Sequence, residues 1–194
     1  MKTKQWTWMA WPLGAIPLVG VIYQAAAGLL GPDPAETLVE LLGWWALVML
    51  LASLTMRPAA QLLHTPGLVI WRRTFGLWAF AYASMHFLGW GTLLLGWDPD
   101  YLAEELTKRP YIVVGMLAWL SLWPLALTST RKSRRRLGHK WVKLHRLVFL
   151  ALVLGLLHQS WVQKSGYGET LIFVSVAVIL LLYRLLHGRN MVNK

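Results

Sequence analysis

No cysteine occurs in the 194 residues. That excludes a disulfide framework, a thiolate-held iron–sulfur cluster, a thiol nucleophile and the Cys-x-x-Cys-His attachment of a covalently bound haem. Acidic residues are scarce as well: eight Asp and Glu stand against nineteen Lys and Arg. All eight lie outside the long apolar runs or at their ends. Proton channels and transporters ordinarily place carboxylates within their spans, so this distribution weighs against a transporter. No internal repeat and no low-complexity tract is present.

What the chain has instead is apolar length and positive charge. It is 57% hydrophobic yet carries a net charge of +11, a combination a soluble domain rarely shows, so the charges must be segregated from the apolar runs. Six windows predict membrane-spanning helices, at about residues 8–30, 38–56, 74–97, 111–128, 141–162 and 170–186, each near the length that crosses about 30 Å of hydrocarbon. The fold class is therefore all-α, a polytopic six-helix membrane bundle forming a single domain over 1–194. The short connections leave no room for a soluble catalytic domain. The first span follows Lys2 and Lys4 and precedes Ala25-Ala26-Ala27, the outline of a signal peptide; we read it as a retained span.

Charge predicts the orientation. With both termini on the cytoplasmic side, every Lys and Arg except Lys108, Arg109 and Lys164 falls inside, as the retention of cations on that side requires. Asp33, Glu36, Glu40, Asp98, Asp100, Glu104, Glu105 and Glu169 fall outside or at outer helix ends. An odd number of spans spoils this sorting. The basic run 131–143 reads as an inner-face anchor rather than a nucleic-acid site. Trp6, Trp8 and Trp11 read as an interfacial belt, and Trp78, Trp90 and Trp161 are candidates to line a pocket. The outer segments 98–110 and 164–168 read as loops available for docking.

Three histidines fall in the spans. A membrane-embedded imidazole is costly unless partnered. His86 lies thirteen residues beyond Arg73 and His158 twelve beyond Arg146, so the two sit at similar depth in the outer half of parallel spans. That is the arrangement of two axial ligands on opposite faces of one haem, b-type in the absence of cysteine. The bland alternative is that each imidazole simply hydrogen-bonds a neighbouring helix. Ala79, Ala81, Ala83, Ser84 and Gly89 give the third span a face open to close approach. His145 lies near the inner face, level with Arg72 and Arg73. Its thirteen-residue separation from His158 puts the two off a common helical face, which a bulge near Gly155 or different partners would explain. Arg72, Arg73, Lys143 and Arg146 are candidates to pair with haem propionates. His64, His139 and His187 read as solvated or headgroup-level.

The segments RRTFGLWAFAYASMH from Arg72, KRPYIVVGMLAWLSLWPLALTST from Lys108 and LGHKWVKLHRLVFLALVLGLLH from Leu137 resemble the ferric-reductase-like transmembrane family. Within it they are most similar to the haem-binding membrane subunits of bacterial methionine sulfoxide reductase systems. Such domains hold two b haems between paired histidines on two spans. His86, His145 and His158 match three of those four positions, and Arg72 or Arg73 stands at the fourth. The resemblance implies haem b, one or two, with His86, His145 and His158 on iron. It also implies FMN, to whose phosphate Arg72, Arg73 and Arg146 are offered. The implied donor is membrane quinol or a separate cytosolic flavin reductase, and the implied acceptor is the periplasmic molybdopterin enzyme MsrP, which repairs methionine sulfoxide in oxidised proteins. The implied location is the bacterial inner membrane, with no nucleic acid as partner. No substrate-reducing site or catalytic residue of its own is evident. A transmembrane ferric or metal reductase with the same haem core is the second reading, and a haem-free transporter the third.

Overall fold

A computed structural model describes residues 8–163 and 166–188. The expectations placed on Lys2, Lys4, Trp6, Lys164, Arg189 and Lys194, and on the side chain of His187, concern groups outside that set.

The chain after Gly31 sets up the central helix. Asp33 caps it by accepting from the Glu36 N–H at 3.0 Å, and Pro34 occupies the first turn, where its missing N–H costs nothing. The helix, α2, then runs Pro34–Leu62, longer at both ends than the 38–56 window. The other helices are α1 (Ala10–Ala26), α3 (Trp71–Gly89), α4 (Pro99–Lys108), α5 (Pro110–Leu127), α6 (Arg131–Leu137), α7 (His139–Leu144), α8 (Leu147–Val162) and α9 (Gly168–Gly188). No strand occurs among the described residues.

α2 packs along α3, and α5 along α8; these two pairs are the most extensive in the bundle. α1 and α9 lean on the first pair. The buried centre is built from Leu42, Leu47, Leu50 and Leu51 of α2, Phe75, Ala79 and Tyr82 of α3, Ala151 and Leu152 of α8, and Phe173 and Ala177 of α9. Tyr82 is fully enclosed, and its hydroxyl donates to the Gly14 carbonyl of α1 at 2.9 Å. Outward, Ile16, Ile22, Ile172 and Ile179 are all more than half exposed, a continuous apolar exterior that water does not favour but lipid does.

Four helices are long and apolar enough to cross a membrane: Pro34–Leu62, Pro110–Leu127, His139–Val162 with its internal turn, and Gly168–Leu186. The other two predicted spans differ for physical reasons. α1 has 17 residues, and α3 carries Arg72, Arg73 and His86 within its 19. α3 is continued by a π-helical segment, Trp90–Leu95, which ends at Gly96 in the left-handed region.

One segment read as a loop is helical, and so is the basic run. Asp98 accepts from the Asp100 and Tyr101 N–H groups and Pro99 follows it, so 98–110 forms α4 rather than a loop. Its exposed pairs Glu104–Lys108 and Glu105–Arg109 are spaced i,i+4. Thr130 caps α6 in the basic run by accepting from the Ser133 N–H. The small-residue face of α3 is divided: Gly89 lies against Val39 of α2, Ala79 is buried in the core, and Ala83 lines the cavity described below.

Candidate functional site

α2, α3, α5 and α8, with Gln24 of α1 and Glu169 of α9, line a cavity of about 990 Å³, at the upper end of the range for cofactor-sized sites. His86 of α3 and His158 of α8 both line it. Their ring centres are 6.1 Å apart and their planes 78° to one another.

Each imidazole is tied back to a helix. His86 Nδ1 lies 2.8 Å from the carbonyl oxygen of Val39 on α2, and His158 Nδ1 lies 2.7 Å from that of Tyr111 on α5. A carbonyl accepts only, so Nδ1 carries the proton in both rings. Each Nε2 then has an in-plane lone pair, and neither has a hydrogen-bond partner among the described residues. An Nδ1–H held by backbone with Nε2 left for metal is the usual arrangement of a ligating histidine. Two imidazoles on opposite faces of one metal ion, with bonds of about 2.0 Å and ring centres about 1.1 Å behind the bonding nitrogens, stand about 6 Å apart. The observed 6.1 Å agrees. On cavity size, donor type and spacing, the residues fit a haem with two axial imidazoles.

The walls suit a flat aromatic ring. Phe87 stacks on Trp119 at 4.4 Å and 17°, and Trp119 is fixed by donating its indole N–H to Ser84 Oγ at 3.0 Å. Trp44, Trp90 and Ala83 complete that side. Of the three tryptophans considered for a pocket, Trp90 lines this one. Trp78 instead packs between α1 and α3 against Gly14, and Trp161 is 51% exposed. Gln159, Gln163, Glu36, Glu40 and Glu169 also line the cavity. No Lys or Arg does so among the described residues, so Arg72, Arg73 and Arg146 do not reach it.

Those arginines belong to the other end of the bundle. Arg72, in the first turn of α3, lies fourteen residues before His86, about 21 Å along a helix. Its backbone carbonyl accepts from Ser53 Oγ at 2.8 Å, and its guanidinium lies within Coulomb reach of Arg57 and Arg184. His145 is there too, within reach of Arg72. Its ring stacks on Trp141 at 3.8 Å and 26°, and its Nε2 lies 3.1 Å from Thr128 Oγ1. The step between His145 and His158 is resolved by a turn at His145–Arg146 that separates α7 from α8, while α8 runs unbroken through Gly155.

The sequence does not single out Val39, Tyr111 or Trp119, and it gives Glu36 and Glu40 only as outer-side acids, not as cavity lining. A backbone carbonyl leaves no mark on residue identity, and one tryptophan of thirteen carries no signal of its own. His64 is exposed, with a positive φ of 53°, and stands apart from the cavity.

Membrane-length helices around a cavity with two lone-pair-bearing imidazoles 6.1 Å apart fit a haem-carrying type of membrane domain, and the chain belongs to the ferric-reductase-like transmembrane component family. The family model matches residues 42–156, a segment that holds His86 and His145 and stops two residues short of His158. Across 187 residues the chain is 39% identical to the protein-methionine-sulfoxide reductase heme-binding subunit MsrQ of Caulobacter vibrioides, covering 96% of this chain and 89% of that protein. It is a multi-pass membrane protein.

Proposed function

We propose that the chain is a single-domain, b-type haem electron-transfer subunit of an MsrQ kind. It crosses the bacterial inner membrane six times, with both termini cytoplasmic. It would pass electrons from the quinol pool, or from a separate flavin reductase, to a periplasmic molybdenum enzyme of the MsrP kind that repairs methionine sulfoxide in proteins. The observation that carries this reading is the pairing of His86 and His158 at 6.1 Å across one cavity.

Haem, when bound there, supplies a one-electron ferric/ferrous couple. The protein's part is to hold and shape it. His86 and His158 offer Nε2 from opposite helix pairs, and the Nδ1 bonds to Val39 and Tyr111 keep both rings in the ligating tautomer. Phe87, Trp119 and Trp44 give the cavity aromatic walls. At the inner end, Arg72, Arg73 and Arg146 offer cations to an anionic group such as the phosphate of FMN, and His145 stands beside Arg72 as candidate ligand for a second haem. α4 and the segment 164–168 are the outer parts offered to the acceptor.

Purified protein is expected to show a Soret band and a reduced b-type α band, lost or displaced in His86→Ala and His158→Ala. A colourless, well-folded preparation overturns the reading. Comparing electron transfer to the molybdenum partner with transfer to ferric chelates separates it from a metal reductase built on the same core.

A further inference from the structure

We infer that Gly43 and Gly115 are positioning residues for the two imidazoles, each opening the helix surface so that a histidine Nδ1–H can reach the backbone carbonyl four residues earlier. The inference rests on the proposed role of His86 and His158 as haem ligands.

In an α-helix the Cα–Cβ bond leans toward the N-terminus, so a side chain covers the turn before its own Cα. The residue that would cover the Val39 carbonyl is therefore residue 43, and the one that would cover Tyr111 is residue 115. Both are glycine. A Cβ placed on Gly43 would lie 2.9 Å from His86 Nδ1 and 3.0 Å from Cε1. On Gly115 it would lie 2.8 Å from His158 Nδ1 and 2.9 Å from Cε1. Carbon and ring atoms pack best at about 3.5–4.0 Å, so either methyl would drive the ring off its carbonyl. The helical bond uses one lone pair of each carbonyl; the second is what the imidazole takes.

The arrangement occurs twice, on segments that share little else: Val39-Glu-Leu-Leu-Gly43 on α2 and Tyr111-Ile-Val-Val-Gly115 on α5. Each histidine follows its carbonyl by 47 residues. Glycine is unfavourable in a helix interior by roughly 0.5–1 kcal/mol relative to alanine, so backbone preference argues against it at both places. Close helix packing is not the reason either, since the nearest atoms to both added methyls belong to imidazoles rather than to backbone.

A bonded Nδ1–H makes Nε2 the better donor to iron and fixes the ring's orientation. Gly43→Ala and Gly115→Ala are therefore expected to weaken haem binding by about 10- to 100-fold. They should also shift the low-spin ferric electron paramagnetic resonance signal and raise the midpoint potential. Gly20 serves as the control, since it does not line the cavity and has nothing within 4 Å; Gly20→Ala should keep the wild-type signal and potential. Gly155 lines the same cavity, and its nearest neighbour is Leu47 Cδ2 at 3.1 Å rather than an imidazole, so Gly155→Ala measures crowding alone and should shift the signal and potential less than either test variant. Unchanged haem affinity and potential in both test variants overturns the inference, as does an equal shift in Gly155→Ala, which would mark simple crowding of the cavity. A fourth readout needs neither haem nor a variant: nitrogen-15 spectra of histidine-labelled, haem-free wild-type protein should show His86 and His158 protonated at Nδ1. Protonation at Nε2 overturns it. Wild-type protein that never takes up haem counts instead against the reading of function.

Discussion

Thr128 Oγ1 lies 3.1 Å from His145 Nε2 and, on its other side, 2.5 Å from the Pro124 carbonyl. The hydroxyl has one proton and the carbonyl can only accept, so that proton goes to Pro124 and Oγ1 accepts from His145 Nε2–H. His145 is thus the opposite tautomer to His86 and His158: the nitrogen they leave open is the one it has committed. To ligate through Nε2 it must give up Thr128.

His145→Ala is accordingly expected to leave the spectrum of a haem held by His86 and His158 intact. His86→Ala and His158→Ala abolish it. Haem-to-protein ratio and the ferric low-spin signal in the three variants decide this, and loss of that signal in His145→Ala would count against the assignment.

Thr128→Val removes the acceptor that fixes His145 and should release its Nε2–H, visible as a shift in the histidine nitrogen-15 spectrum. Trp141, which stacks on His145 and donates its indole N–H to the Thr128 carbonyl at 3.0 Å, keeps the ring in place. The change should therefore be one of protonation pattern more than of fold.

What could be read from residues alone divides along the same line. Depth is a matter of counting: thirteen residues from Arg73 and twelve from Arg146 place His86 and His158 level, and the structure brings their rings together. Azimuth is not a matter of counting, because a turn at His145–Arg146 resets the helical phase and sends His145 toward α5. The charge along 98–110 favoured a loop reading for what became α4, and the cap that starts it, Asp98 followed by Pro99, went unread. Gly43 and Gly115 carried no signal because a glycine in an apolar run reads equally as packing, flexibility or chance. Only the imidazole above each tells which.

Tyr82→Phe deletes the hydroxyl that joins α3 to the Gly14 carbonyl of α1. Hydrogen bonds between membrane helices average about 0.6 kcal/mol, with a maximum near 1.7, and the loss should fall in that range. Reversible unfolding in mixed detergent measures it; the haem spectrum should not move, since Tyr82 does not line the cavity.

Trp119→Ala removes the ring that stacks on Phe87 and the donor to Ser84. Truncating a packed tryptophan costs about 3–5 kcal/mol, and here it also opens a cavity wall. The expected result is a less stable protein whose haem, if retained, is more accessible to water and shows a shifted potential. Trp119→Phe keeps the stack and should recover most of both.

On α4, Lys108 donates to Glu104 at 2.6 Å and, with its charge, holds that carboxyl below its usual range. A carboxylate with a depressed folded pKa adds stability above the unfolded value and loses it as pH falls through the lowered one. The pair is exposed, so the effect is slight and salt-sensitive. Glu104→Gln should leave the unfolding temperature at neutral pH nearly unchanged, and any difference from wild type should vanish in strong acid and in molar salt.

The α2–α3 pair and the α5–α8 pair each present one imidazole, each steadied by a carbonyl 47 residues earlier, and neither pair holds both. A prosthetic group bound between them is therefore a clasp joining two halves of the bundle. Its arrival should be the event that locks the halves in register, so that unloaded protein loosens along this seam first.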